Sequence, residues 1–72
     1  MASRAELERD IRNVDSLISA AEQAAAALRN KARDATSESA REKLNADAAR
    51  KDDEVSKLTA RRSGLNSHLR SL

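Results

Sequence analysis

His68 is the only imidazole in the 72-residue chain, and no cysteine is present to act as a thiolate nucleophile or a soft metal ligand. A zinc site needs three or four convergent ligands, and an activated serine needs a base within hydrogen-bond reach. The repeat pattern described below sets His68 beside Asp10 at the open end of a helical pair, which reads as a surface contact. Asp47, Asp52, Asp53 and Glu54 form the densest group of carboxylates. Helical spacing spreads them around the axis, and the Asp, Gly and Glu pattern of an EF-hand is missing, as is a glycine-rich phosphate loop. So short a chain also has little material with which to enclose a pocket. These residues predict a non-catalytic protein with no cofactor, no metal and no small-molecule substrate.

Arg4, Arg9, Arg12, Arg61, Arg62 and Arg70 gather at the same open end, where they could meet phosphates. Glu6, Glu8, Asp10 and Asp15 offset them, the net charge is only +2, and no aromatic residue is available to stack on a base or enter a membrane interface. Electrostatic nucleic-acid binding is therefore a minor alternative, and membrane insertion is not expected. The first eighteen residues carry seven charges, which argues against a signal peptide. The expectation is a cytoplasmic chain, or one exported without a cleaved signal.

What must position these groups is helix. With no proline and one glycine, Gly64, the chain almost lacks residues that break helices. Leu7, Ile11, Val14, Ile18, Ala21, Ala25, Leu28, Ala32 and Ala35 follow alternating steps of four and three, the seam of a coiled coil. A second seam runs through Leu44, Ala48, Lys51, Val55, Leu58, Arg62, Leu65, Leu69 and Leu72. The two are out of phase, so the chain must reorient between them. Thr36-Ser37-Glu38-Ser39 is the place for a break, and Ser39 with Glu42 has capping-box spacing, as does Ser3 with Glu6.

Folding the chain about residue 38 pairs position i with about 76 minus i. Leu7 then faces Leu69, Ile11 faces Leu65, Ile18 faces Leu58, Ala21 faces Val55, Leu28 faces Ala48 and Ala32 faces Leu44. Large side chains alternate with small ones, as interdigitating helices require. The predicted fold is all-α: one helical-hairpin domain over 1–72, with helix 1 about 4–35, a bend about 36–39 and helix 2 about 40–71. Association into a four-helix bundle is expected. The alternative is one continuous helix in an antiparallel dimer, about 100 Å long.

Fifteen alanines and only eight leucines make a thin core, which predicts help from self-association or a partner. Leu17, Ala20, Ala24 and Ala27 repeat the three-four step beside the main seam, as a face on which another helix could pack. Lys51 and Arg62 interrupt the second seam, with their stems expected across it and their heads reaching Glu22 and Asp10 or Asp15. The expected interface is Ile11, Leu17, Ile18, Ala20, Ala24, Ala27, Leu28, Leu58, Leu65 and Leu69. The functional expectation is a coiled-coil interaction or assembly module, a homodimer or a small helical heterocomplex. The alternative is a small helical chaperone or targeting partner of a secreted or unstable protein. Small helical hairpins that accompany type VII secretion are similar in size, but their Trp-x-Gly bend has no counterpart here.

Overall fold

The computed structural model describes residues 2–72. Ser3 is extended (φ −79°, ψ 165°), and its hydroxyl accepts from the Glu6 backbone N–H at 3.2 Å, satisfying one of the orphan donors that open α1 (Arg4–Asp34). Glu6 adds negative charge at the positive end of the helix dipole, while Lys31 and Arg33 add positive charge at the other end. The second helix, α2 (Glu38–Arg70), packs along α1 as an antiparallel all-α hairpin.

The bend is shorter than the spacing predicts and begins earlier, leaving only Ala35, Thr36 and Ser37 outside helix. The cap of α2 is Ser37, not Ser39: its Oγ accepts from the Ala40 N–H at 3.1 Å. A start at Ser37 puts Glu38 in the first turn, where its charge favours the helix N-terminus, and it places Arg41 one turn in. From there the Arg41 guanidinium donates through Nε to the Ala32 carbonyl at 3.3 Å and through Nη2 to the Ala35 carbonyl at 3.0 Å. Carbonyls at a helix end otherwise depend on a glycine-based turn or on water. Here the Ala35 N–H also donates to the Ala32 carbonyl at 3.3 Å, and one arginine from the next helix adds its two bonds at a bend without glycine or proline.

All eight seam positions of α1 and Ala35 just past its end are buried or half-buried, with Leu7, Val14, Ala25 and Ala32 each 2% exposed. On α2 the same is true from Leu44 to Leu69, but only Ala48 is fully buried there; Leu72 is exposed. Size accounts for part of the asymmetry, although Leu7 and Ile18 on α1 are buried as well. Val and Ala on α1 sink below the larger residues of α2, whose leucines overhang the seam and keep an edge in water. Arg62 Nη1 meets Asp15 Oδ1 at 2.9 Å, within one residue of the predicted register. Lys51 does not reach Glu22; its Nζ lies 3.3 Å from Glu54 Oε2, one turn along its own helix, where less side-chain entropy is lost.

The molecule measures 53 × 14 × 14 Å, with a radius of gyration of 16.3 Å against about 11 Å for a compact chain of this length. It exposes 5217 Å², whereas a compact monomer of this mass exposes about 4,400 Å². Two helices side by side cannot enclose a volume, so the surplus is built into the architecture.

Gly64 lies inside α2, and a methyl group added there would meet no atom within 4 Å. Its φ is not positive, so glycine is not required by the backbone. Gly64→Ala is expected to stabilise the hairpin by about 1 kcal/mol, raising Tm by about 4–8 °C. Thermal denaturation followed by circular dichroism checks it, and a lowered Tm would mean that another surface sits against this position.

Candidate protein-interaction surface

The two flanks of α1 differ in charge. Between Arg12 and Lys31 the only charged residues are Asp15, Glu22 and Arg29, spaced seven apart. That spacing keeps them on one stripe, and the stripe faces one side of α2: Asp15 pairs with Arg62, and Arg29 donates through Nη1 to Asp52 Oδ1 and through Nη2 to Asp52 Oδ2. The Arg29 hydrogen bonds hold the Asp52 carboxyl below the usual carboxylate range, and Asp52 in turn raises Arg29. Both side chains are half-exposed, so water and salt screen the pair and it contributes little to stability.

The opposite flank carries no charge at all over residues 13–30. It covers roughly half the circumference for a length of about 27 Å, in a chain that is 36% charged. At its centre Leu17 is 53% exposed, with Ala20 and Ala27 exposed and Ala24 half-buried beside it. Of the expected interface, Leu17, Ala20, Ala24 and Ala27 thus share one open face. Ile11, Leu28, Leu58, Leu65 and Leu69 are half-buried in the seam, and Ile18, 6% exposed, lies within it. Leu28 also lines an open recess with Asp47, Arg50, Lys51 and Glu54, which gives the seam a charged rim on the α2 side.

No protein-family model, curated protein or solved structure matches this chain. Chemistry has to be judged from the side chains alone. Among the described residues no three His, Cys, Asp or Glu side chains gather as a metal site would need, His68 is exposed, and no helix is long and apolar enough to cross a membrane. Among the described residues no buried side-chain polar atom lacks a hydrogen-bond partner, so no orphaned group marks a concealed ligand site.

Two features escape a reading of apolar periodicity alone. The Arg41 contacts to Ala32 and Ala35 depend on how the bend closes. The charge-free flank is legible in principle, because the charges of α1 themselves repeat every seven residues at Asp15, Glu22 and Arg29. Looking for where charge is absent would have found it.

Proposed function

We propose that this chain is a non-catalytic coiled-coil module that self-associates and presents the uncharged face of α1 to other helices. The observation that supports this reading is Leu17, half-exposed in the middle of a charge-free surface on an otherwise highly charged protein. Interface centres are distinguished from other surface by depletion of charge, and helix propensity alone does not call for a leucine at an exposed position where alanine would serve. The thin core points the same way: a hairpin whose leucines overhang the seam gains stability from whatever covers it, and that stability rises with concentration.

Leu17→Asp combined with Ala24→Asp tests the proposal. The wild-type chain is expected to associate in sedimentation equilibrium, and the double variant to run as a monomer with its helical circular dichroism retained. A wild-type monomer across the accessible concentration range overturns self-association.

A second reading is favoured by the half-buried leucines of α2, Leu44, Leu58, Leu65 and Leu69. A chaperone-like partner that lays these residues against an apolar helix of a secreted or unstable protein would be weakly folded alone and gain order in the complex. A lone chain that melts cooperatively at low concentration argues against it.

A further inference from the structure

We infer that the occupant of the open α1 face is a helix of a partner protein that carries carboxylates along one edge of an apolar stripe, those carboxylates meeting Lys57 and Arg61. The inference rests on the reading above that this face receives helices, and it names the charge of the one received.

The recess at Leu28 shows which side of α2 borders the face, because Leu28 shares it with Asp47, Arg50, Lys51 and Glu54. Leu17 lies eleven residues before Leu28, about three full turns, and therefore on the same side of α1. Eleven residues beyond Arg50, along the antiparallel helix, stands Arg61. Arg61 is thus placed beside Leu17 as Arg50 is beside Leu28, with Lys57 one turn away. Thr59, Arg62, Ser63, Asn66, Leu69 and Arg70 border a different recess, on the flank where Arg62 meets Asp15.

Every charge bordering the face can be assigned. Over residues 13–30 the three charges of α1 lie on the other flank. Over the facing stretch of α2, residues 47–64, Asp52 and Arg62 are taken on that flank by Arg29 and Asp15. Asp53 falls on the back of the helix, two residues from the seam in either direction. Four cations and two carboxylates remain beside the face. Arg50 pairs with Asp47 at 3.0 Å and Lys51 with Glu54 at 3.3 Å, while Lys57 and Arg61 are exposed and form no ion pair among the described residues. Beyond Glu54 the chain has no acidic residue. The carboxylates of α1 on this side, Glu6 and Asp10, lie past the open end of the uncharged stretch and pair with neither cation. Lys31 and Asp34 close the stretch at the bend.

The two halves of this surface select one kind of occupant. Leu17 and the alanines accept an apolar stripe at close approach and give a phosphate backbone nothing to bind. Lys57 and Arg61, one helical turn apart, present two cations in line with the axis, so carboxylates at the same spacing along an incoming helix meet both. A bilayer would draw on the same cations, but the face holds one large exposed apolar side chain, Leu17, and no aromatic residue to enter it.

Two synthetic amphipathic helices of about 18 residues, matching the face at about 27 Å, test the inference. They share one leucine and alanine stripe and carry either glutamates or lysines along its edge. Fluorescence anisotropy at low salt is expected to give the glutamate peptide about tenfold tighter binding than the lysine peptide, with the gap narrowing as salt screens it. Lys57→Glu with Arg61→Glu reverses the preference, and circular dichroism verifies that this variant is helical. Leu17→Asp abolishes capture of the glutamate peptide. Equal affinity for both peptides, an unchanged preference after the charge reversal, or capture that survives Leu17→Asp overturns the acidic helix, as does binding to phosphatidylserine vesicles in place of the peptide. If sedimentation finds the wild-type chain associating while neither peptide binds, the acidic helix is overturned and self-association survives. Preferential capture of the glutamate peptide by a chain that stays monomeric supports the inference and overturns self-association alone.

Discussion

Ile18→Asp is expected to unfold the lone hairpin, whereas Leu17→Asp, one residue earlier, leaves the monomer helical. The two positions differ in where their side chains end: Ile18 is 6% exposed inside the seam, and Leu17 is 53% exposed on the charge-free face. Truncating a buried isoleucine costs about 2–5 kcal/mol through lost transfer energy and the cavity left behind. The introduced carboxylate adds a desolvation cost inside an apolar seam. A chain of this size with a single small core has about 3–5 kcal/mol to lose, so the sum exceeds its stability. Far-ultraviolet circular dichroism and urea titration at low concentration check the pair of variants. A helical, cooperatively melting Ile18→Asp chain would mean that the seam is not the core.

The reason the fold was legible is that seam residues of a coiled coil are chosen one by one. Nine consecutive apolar seam positions in the first half of the chain, from Leu7 to Ala35, leave one face that can be buried, and the large-small alternation with α2 leaves one direction in which to bury it. What that pattern does not encode is anything that depends on long side chains reaching across. Lys51 settles on Glu54 rather than Glu22 because its own helix offers a carboxylate one turn away. Arg29 extends to Asp52, five residues beyond the seam register, because a guanidinium on three methylenes reaches that far. The cap lies at Ser37 rather than Ser39, and the Arg41 contacts to the Ala32 and Ala35 carbonyls beside it exist only after the helices have met.

The interaction face divides along the same line. Its members could be read from the three-four step of Leu17, Ala20, Ala24 and Ala27, since exposure on a helix follows from angle. Its breadth is legible too, because Asp15, Glu22 and Arg29 repeat every seven residues and leave the rest of the flank without charge. What the spacing does not give is the partner of each charge: Asp15 meets Arg62 and Arg29 meets Asp52 on α2. Those two pairs pin α1 to α2 along one flank.

That pinning makes the bend the second place where one small change has a large effect. Ser37→Ala with Arg41→Ala is expected to convert the hairpin into an antiparallel dimer of continuous helices. Ser37 contributes the side-chain cap at the start of α2, worth about 1 kcal/mol, and Arg41 satisfies carbonyls that a continuous helix would satisfy internally. Alanine at both positions removes these supports and favours helix through the junction. The seam itself is indifferent, because the pairing of Leu7 with Leu69 or Ile18 with Leu58 is equally available between two chains, which is the condition for domain swapping. Small-angle X-ray scattering separates the states by length: 53 Å for the hairpin, about 100 Å for a continuous helix of this chain. A variant that keeps the shorter dimension, alone or as a dimer, would show that the hairpin is held by its seam and ion pairs and that the bend merely follows. A rod at twice the mass would show that three residues and one arginine decide whether this sequence folds back on itself.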